Sequence, residues 1–353
     1  MGDPTGIGPE VIAGAWSNPD LHAAARMIVA GHPQIIQRAC ELRGVETRVI
    51  EVDAPNSESL APLASSPDVL PCVTTVGPAA VDLPPAKIDA RGGQAAYDAV
   101  VAAANWALTG TVDGLVTAPL HKAALRLAGY AVPGHTELLA ELCDVREVAM
   151  MLYLPPGCGV HGPHGLGVVH TTLHMALRDV FAHLSAGAIQ AKIRLAEHAL
   201  KSLGALRPRI GVLALNPHAG EEGLFGDEEQ RYIAPAVEQS RRAGIDAQGP
   251  LPADTMLVRA RQGEFDAVVA MYHDQGHIAL KLLDMHRAVN ITLGLPIIRT
   301  SVAHGTAFDR AWRGTAEVSG VIEAVRVAAQ LARQRTGPQR SSESTSPLVS
   351  ESA

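Results

Sequence analysis

Short runs of apolar, β-branched residues alternate along the chain with longer stretches that are rich in alanine and carry apolar residues at helical spacing. This alternation is typical of an α/β architecture in which helices cover a parallel sheet. The apolar runs predict strands at 27–30, 114–117, 148–154, 167–170, 210–215, 267–271 and 289–292. The alanine-rich stretches predict helices that include 94–108, 176–203, 228–243 and 319–333.

Two segments depart from this pattern. Residues 154–165 are rich in glycine and proline and predict an exposed loop or hairpin. Residues 334–353 are almost entirely polar. Such a composition cannot bury enough apolar surface to offset the entropy of ordering, so it predicts a disordered tail.

Three of the predicted strands deliver a histidine at or just beyond their carboxyl end. These residues are His174, His218 and His273, which follow the strands at 167–170, 210–215 and 267–271. In open α/β sheets, ligands bind outside the carboxyl ends of the parallel strands. Three imidazoles gathered there can hold one divalent metal ion. The sequence therefore predicts an enzyme with a histidine metal site.

Composition narrows the class of partner and the compartment. The chain has 353 residues, of which 47% are hydrophobic and 18% charged, which is enough to form two globular lobes. A net charge of −7 provides no basic field, so we expect neither a nucleic-acid nor a membrane partner. The four cysteines lie far apart, no apolar stretch approaches the roughly 20 residues of a membrane span, and no signal peptide follows Met1. We expect a cytoplasmic enzyme with reduced thiols.

The first ten residues form a glycine-rich turn of the kind that follows a strand, yet no strand precedes it. We expect the natural amino terminus to carry several more residues. Without them, one sheet edge is expected to be unpaired or completed differently.

Residues 133–137 precede apolar residues at helical spacing and predict the start of a helix with Thr136 as its N-cap. The free N–H groups at a helix start also favour a bound phosphate. The segment is therefore either a simple helix cap or a cap that also binds substrate.

Several blocks together resemble the PdxA family, the NAD-dependent 4-hydroxythreonine-4-phosphate dehydrogenases, over nearly all of residues 1–333. They are 2–10 (GDPTGIGPE), 117–122 (TAPLHK), 133–137 (PGHTE), 174–179 (HMALRD), 216–220 (NPHAG), 272–276 (YHDQG), 290–296 (NITLGLP) and 304–307 (HGTA). Two further blocks, 223–229 (GLFGDEE) and 273–278 (HDQGHI), are more similar to a second branch that acts on D-threonate or D-erythronate 4-phosphate.

The resemblance implies an α/β fold with two lobes of the isocitrate/isopropylmalate dehydrogenase type. The active site is then expected in the cleft between the lobes, completed by the second subunit of a homodimer. Residues 1–120 with 287–333 are expected to form the cofactor-side lobe, and residues 121–286 the lobe for metal, substrate and dimerisation. NAD is the expected cofactor, with NADP left open, although the usual G-x-G-x-x-G fingerprint is absent from the family and from this chain.

The resemblance also implies roles for individual residues. The metal ligands are His174, His218 and His273, holding zinc, cobalt or magnesium. The substrate contacts are His135, Thr136, Lys281, Asn290 and Arg299. The cofactor loop consists of His304, Gly305, Thr306 and Ala307. The general base is left open between Asp254, which is expected to reach the partner's site, Lys122 and a metal-bound hydroxide.

The expected reaction is oxidation of the secondary hydroxyl of 4-hydroxythreonine 4-phosphate, followed by decarboxylation to 3-amino-2-oxopropyl phosphate for pyridoxal phosphate synthesis. The alternative within the class is D-threonate or D-erythronate 4-phosphate, in sugar-acid catabolism. A metal-dependent hydrolase is a second class, because a histidine-bound metal can equally activate water. A third class is a ligand-binding protein without catalytic activity.

Overall fold

The structure is a computed structural model that describes residues 1–55 and 65–336. The strands are β1 (Val29–Gly31), β2 (Arg48–Glu51), β3 (Val69–Thr74), β4 (Gly114–Thr117), β5 (Ala149–Leu154), β6 (Leu166–His170), β7 (Ile210–Leu213), β8 (Ala247–Leu251), β9 (Ala267–Ala270), β10 (Val289–Leu293) and β11 (Ile298–Val302). The helices are α1 (Gly8–Trp16), α2 (Pro19–Ala24), α3 (Pro33–Arg43), α4 (Ala90–Leu108), α5 (Lys122–Leu127), α6 (His135–Leu142), α7 (Leu177–His183), α8 (Ala186–Ser202), α9 (Ala234–Arg242), α10 (Ala253–Arg261), α11 (His273–Asp284) and α12 (Ser319–Thr336).

The strands of the described residues form a small parallel sheet in the order β1-β3-β2 and a large one in the order β4-β11-β10-β5-β6-β9-β7-β8. The α/β architecture is confirmed, but the prediction of a parallel sheet is wrong for the large sheet. There β10 pairs antiparallel with both β11 and β5, and β5 pairs antiparallel with β6. The reason is that buried strands are apolar whatever their direction. The hairpin predicted at 154–165 is confirmed as the connection between β5 and β6.

Two predicted helices are interrupted. The helix predicted at 176–203 is in fact α7 and α8, because the hydroxyl of Ser185 accepts from the N–H of Ala188 and caps a new helix. The helix predicted at 228–243 begins with a π-helical turn, Glu229–Ile233, and continues as α9. Pro235 stands in the first turn of α9, where its missing N–H removes one bond of the regular ladder.

The pattern also missed β2, β3, β8 and β11. In β11 the polar residues Arg299, Thr300 and Ser301 are all at most 4% exposed, so its burial is not visible as an apolar run. Strand β8 lies at the sheet edge and contains Pro250, which fits an edge position.

The largest apolar core covers one face of the large sheet. Ile291 of β10 and Val212 of β7 point into it, and Ile193 of α8 and Val327 of α12 pack over them. All four side chains are buried, and burial of side chains of this size contributes roughly 1.5–3 kcal/mol each. Because side chains alternate along a strand, Asn290 is turned to the opposite face.

The amino-terminal segment lies between the two sheets. The Met1 ammonium donates to the carbonyl of Ala30 (2.8 Å), and the N–H of Asp3 donates to the carbonyl of Pro119 (2.9 Å). In the described part of the chain β1 pairs only with β3 and β4 only with β11. A mainly apolar slot of about 550 Å³ separates the two free edges. Within the described residues these two sheet edges are therefore unpaired.

The predicted lobes share the large sheet: β4, β10 and β11 fall in the ranges of the first lobe and the other strands in that of the second. The division into lobes stays a prediction.

Helix α12 includes residues 334–336, which were wrongly predicted as part of the tail, and residues 337–353 lie outside the described residues. All four cysteines are free thiols. None of the helices described is both long enough and apolar enough to cross a membrane.

Candidate active site

A cavity of about 180 Å³ lies against the face of the large sheet where β4, β11 and β10 run side by side. In the register of these strands Thr117, Ser301 and Asn290 are neighbours, and all three line the cavity. The first turn of α6 and the loops after β6 and β11 complete the wall. Many of the residues selected from the sequence line it, namely Lys122, His135, Thr136, His174, Asn290, Arg299, His304 and Gly305.

The cavity lies on the face of the sheet and is bordered by the carboxyl ends of the parallel strands β4 and β11. Its wall strands run in both directions, because β10 is antiparallel to β11. His174, His273 and His218 follow the carboxyl ends of the adjacent parallel strands β6, β9 and β7, which agrees with their predicted position after strands. Of these three histidines, His174 also lines the cavity.

Arg299 supplies a buried positive charge at the cavity wall. Its side chain is only 2% exposed and donates to the hydroxyls of Thr117 and Thr292. No carboxylate of the described residues forms an ion pair with it. Burial lowers the pKa of Arg299 to about 10, an effect that Glu137 opposes. A buried cation held by neutral groups is suited to bind an anionic ligand.

The first turn of α6 supplies backbone donors beside this charge. The helix begins at His135 and its N-cap is Gly134, so the prediction of Thr136 as N-cap is wrong. Gly134 has a φ of 173°, an extended conformation, and Thr136 stands one residue inside the helix. The N–H groups of the first turn have no partners within a helix, and they can bind a phosphate or carboxylate.

Two buried polar atoms in the cavity wall have no partner in the protein: Nε2 of His135 and Oδ1 of Asn290. Burial, followed by the charge of Arg299, lowers the pKa of His135 well below its ordinary value, so the ring is neutral at pH 7. Buried polar groups are normally hydrogen-bonded. Both atoms therefore indicate a polar ligand in this cavity.

His174 and His273 are neighbours, with ring centroids 5.7 Å apart. The pKa of His174 is lowered mainly by burial and further by the charges of Lys122 and His273. The ring of His277 stacks on His273 at 3.7 Å, and its Nδ1 lies 3.0 Å from Nε2 of His170. The structure thus gathers a cluster of four histidines beside the cavity, two of which were predicted as metal ligands.

His218 lies outside this cluster. It is exposed and does not line the cavity. Over residues 1–55 and 65–336, no group of three or more histidine, cysteine, aspartate or glutamate side chains is placed to hold a metal ion. An imidazole nitrogen is a suitable ligand for zinc or cobalt. His174 and His273 of one chain would, however, need a further ligand to complete a metal site. The three-histidine site stays a prediction.

The two remaining charged residues from the sequence do not line the cavity. Lys281 follows His273 by two turns of α11, and its charge contributes to lowering the pKa of His304, after burial. Asp254 is exposed in the first turn of α10 and accepts from the N–H of Thr255. Of the two predicted catalytic side chains, only Lys122 lines the cavity.

The predicted cofactor loop packs on the amino-terminal turn. The carbonyl of Thr306 accepts from the N–H of Ile7 (3.1 Å), and a Cβ on Gly6 would stand 2.9 Å from Cβ of Thr306. Gly305 faces open space beside the cavity, where a flat ring could approach the backbone. This geometry is compatible with a nucleotide ligand, and the role of the loop stays a prediction.

Sequence reasoning missed several residues of this region: Thr117, Glu137, His170, His277, Thr292 and Ser301. Two of them carried a usable signal. His277 follows His273 at the i+4 position, which places both on one face of a helix, and Glu137 belongs to the 133–137 block. Thr117, Thr292 and Ser301 gave no signal in the sequence, because the position of their hydroxyl groups depends on strand register.

Comparisons with known proteins give relatives over nearly the full length. The family model "Pyridoxal phosphate biosynthetic protein PdxA" matches residues 23–328. The chain is 44% identical to the D-threonate 4-phosphate dehydrogenase of Salmonella typhimurium, covering 94% of this chain and 97% of that one. It is also 44% identical to the 4-hydroxythreonine-4-phosphate dehydrogenase of Geobacter metallireducens, covering 94% of each. The crystal structure of the 4-hydroxythreonine-4-phosphate dehydrogenase from Klebsiella pneumoniae superposes with a TM-score of 0.81 at 41% identity, covering 94% of this chain and 96% of that one.

Proposed function

The chain belongs to the PdxA family, and from that premise we propose that it oxidises the secondary hydroxyl of 4-hydroxythreonine 4-phosphate with NAD as hydride acceptor. Its relatives are dehydrogenases, and the chain is an oxidoreductase that acts on a CH–OH group. The observation that carries the substrate proposal is the cavity in which Arg299, Lys122 and the first turn of α6 converge. Four free thiols support a cytoplasmic setting.

The substrate carries two anionic groups, a carboxylate and a phosphate. The first-turn N–H groups of α6 can bind the phosphate, together with Thr136. The guanidinium of Arg299 can then bind the carboxylate. The ammonium group on C2 needs acceptors, and Oδ1 of Asn290 and the carboxylate of Glu137 are available in the same wall. This last match favours 4-hydroxythreonine 4-phosphate.

The reaction removes a hydride from C3 and a proton from its hydroxyl, and the resulting β-keto acid loses CO₂ and takes up a proton at C2 to give 3-amino-2-oxopropyl phosphate. A divalent ion such as zinc, cobalt or magnesium would polarise the hydroxyl, and the nicotinamide would accept the hydride. In its neutral form, Lys122 Nζ is the side-chain atom we propose to take the proton, because Lys122 lines the cavity whereas Asp254 does not. Its ammonium must first give up a proton to solvent. His135, which is neutral, can donate to or accept from the substrate through Nε2.

A homodimer would complete the metal site. His174 and His273 lie together at the cavity, whereas His218 and Asp254 are exposed outside it. We propose that His218 and Asp254 serve a cavity that two chains share. Lys281 and the loop of His304, Gly305, Thr306 and Ala307 are then proposed to contact substrate and cofactor.

D-threonate 4-phosphate is the second candidate. It is favoured by the Salmonella relative of that name and by the 223–229 block. This acid carries a hydroxyl where 4-hydroxythreonine 4-phosphate carries the ammonium group. The same oxidation and loss of CO₂ would then give dihydroxyacetone phosphate.

A single assay separates these readings. The purified protein is incubated with zinc, NAD and each of the phosphates, with parallel arms that contain NADP or a chelator, and NADH and the keto product are followed. We expect chelator-sensitive NADH with 4-hydroxythreonine 4-phosphate. NADH with D-threonate or D-erythronate 4-phosphate alone supports the second candidate. Release of inorganic phosphate without NADH would indicate a hydrolase and overturn the proposal.

A further inference from the structure

The turn that carries His218 has an unusual backbone. Six consecutive residues have positive φ: His218 (52°), Ala219 (58°), Gly220 (79°), Glu221 (41°), Glu222 (57°) and Gly223 (103°). Only the two glycines adopt this left-handed region readily, and the other four residues are strained there. Such a conformation persists only where the surroundings hold it, and strain of this kind clusters at functional sites.

Glu229 is the group that holds the start of this turn. Its side chain is 4% exposed, and its Oε1 accepts from the N–H groups of Leu215 (2.8 Å) and Asn216 (2.7 Å). Its Oε2 accepts from Nδ2 of Asn216 (3.0 Å). The carboxylate thus binds both residues that connect β7 to the turn. Glu229 is also the first residue of the π-helical turn, an irregularity frequent at functional sites.

The same carboxylate also contacts the middle of the turn. A Cβ added to Gly220 would stand 2.8 Å from Oε2 of Glu229, so the absence of a side chain at this position allows the close approach. The carbonyl of Gly220 accepts from the N–H of Phe225 (3.1 Å), which closes the turn on its far side. The glycine and Glu229 therefore fit each other.

A second side chain connects this segment to the strand that leads to His273. Nε2 of Gln275 donates to the carbonyl of Ala214 (2.7 Å), at the end of β7. Oε1 of Gln275 accepts from the N–H of Met271 (2.7 Å), at the end of β9. Gln275, which belongs to neither strand, therefore fixes the segments that lead to His218 and His273 relative to each other.

We propose that Glu229 is a positioning residue for His218. Its carboxylate holds the left-handed turn in the one conformation that presents the imidazole to a metal ion. The metal-related part of this proposal rests on the function proposed above. The hold on the turn itself does not depend on that function. Partners of this kind, which orient a metal ligand without touching the ion, typically change metal affinity about 10- to 100-fold when removed.

The test compares Glu229→Gln with wild type and with the control Glu238→Gln. The substitution at 229 keeps the size of the side chain but replaces one acceptor oxygen with an NH₂ group and leaves a neutral, weaker acceptor in place of the carboxylate. In either orientation of the amide its NH₂ group faces a donor, either Nδ2 of Asn216 or the N–H groups of Leu215 and Asn216. Glu238 is exposed on α9 and pairs with Arg242 of the same helix, so its substitution makes the same chemical change away from the turn. Zinc affinity of the full-length protein is measured by competition with a chromogenic chelator. Amide hydrogen exchange is measured for residues 215–223 and for β9.

We expect Glu229→Gln to speed exchange at Leu215 and Asn216 while leaving β9 unchanged, and to weaken zinc binding about tenfold or more. In a His218→Ala background the same substitution should produce no further loss of zinc affinity, because the ligand it orients is absent. Glu238→Gln should match wild type in both measurements. Gly220→Ala, which pushes a methyl group toward Oε2 of Glu229, should reproduce the effect of Glu229→Gln.

Unchanged exchange at Leu215 and Asn216 in the Glu229→Gln protein would overturn the hold on the turn. Faster exchange with unchanged zinc affinity would overturn the role toward His218. An equal loss of zinc affinity with and without His218 would do the same, because it indicates a general structural effect. Wild-type protein that binds no zinc and forms no NADH would contradict the proposed function instead, and the exchange result would still decide whether Glu229 holds the turn.

Discussion

Arg299 Nη2 donates to Oγ1 of Thr117 at 2.7 Å, and Arg299 Nε donates to the same oxygen at 3.2 Å. The hydroxyl belongs to β4 and the guanidinium to β11, so two parallel neighbours fix the charge in one orientation. Thr292 of β10 holds Nη1 from the other side at 2.9 Å. The cation is therefore preorganised at the cavity wall before any ligand arrives.

Arg299→Lys should chiefly raise the KM for the phosphorylated substrate, by about 10- to 100-fold, because an ammonium cannot form a forked pair with a carboxylate. The rate constant kcat should change less. Steady-state kinetics check this, with Arg242→Lys on the exposed face of α9 as the control. An unchanged KM would remove Arg299 from the substrate site.

Thr117→Val should lower the free energy of unfolding by about 1–3 kcal/mol, because it leaves donors of a buried guanidinium without a partner. Thr117→Ser keeps the hydroxyl and should lose much less. Urea denaturation of the two variants and wild type measures the difference. Equal stability of the valine and serine variants would mean that the hydroxyl does not hold Arg299.

The stability of the protein without metal should decrease as the pH falls below about 6.5, partly because of His135. Burial keeps its folded pKa well below that value, so in acid the unfolded chain binds a proton that the folded protein does not. The free energy of unfolding should then fall by about 1.4 kcal/mol per pH unit for this one group. His135→Gln cannot titrate and should show a shallower decline in urea unfolding between pH 5 and 7. The same slope in both proteins would contradict the burial of a neutral His135.

His174→Ala should lower zinc affinity and NADH formation strongly, because it removes an imidazole from the cavity edge. His183→Ala, which changes an exposed histidine at the end of α7, should leave both near wild type. Metal content after dialysis and activity after added zinc are the measurements. Full activity of the His174 variant in the presence of chelator would show that no metal is needed there.

The sequence was a good guide where chemistry depends on chain order. The placement of His174, His218 and His273 just after strands could be read from apolar runs, since each histidine follows the end of its run within a few residues. The adjacency of these strands is a finding of the structure. The expectation that Lys122, His135 and Arg299 belong to one site came from the family resemblance.

The sequence was a poor guide where the outcome depends on register and direction. Strand β11 has a polar buried face, and its contacts with Thr117 and Thr292 arise only when β4, β11 and β10 are aligned. The break at Ser185 depends on one side-chain cap within an otherwise continuous helical pattern. The position of His218 outside the cavity could not be predicted, because the left-handed turn depends on Glu229, a residue eleven positions further along the chain.

The most direct measurement is a crystal structure of the protein with zinc and 4-hydroxythreonine 4-phosphate, obtained without NAD. The account predicts the ligand in the cavity of β4, β11 and β10, with one anionic group at Arg299 and the other at the first turn of α6. It also predicts one zinc ion beside His174 and His273. A ligand bound elsewhere, with Arg299 and the α6 turn unoccupied, would contradict it.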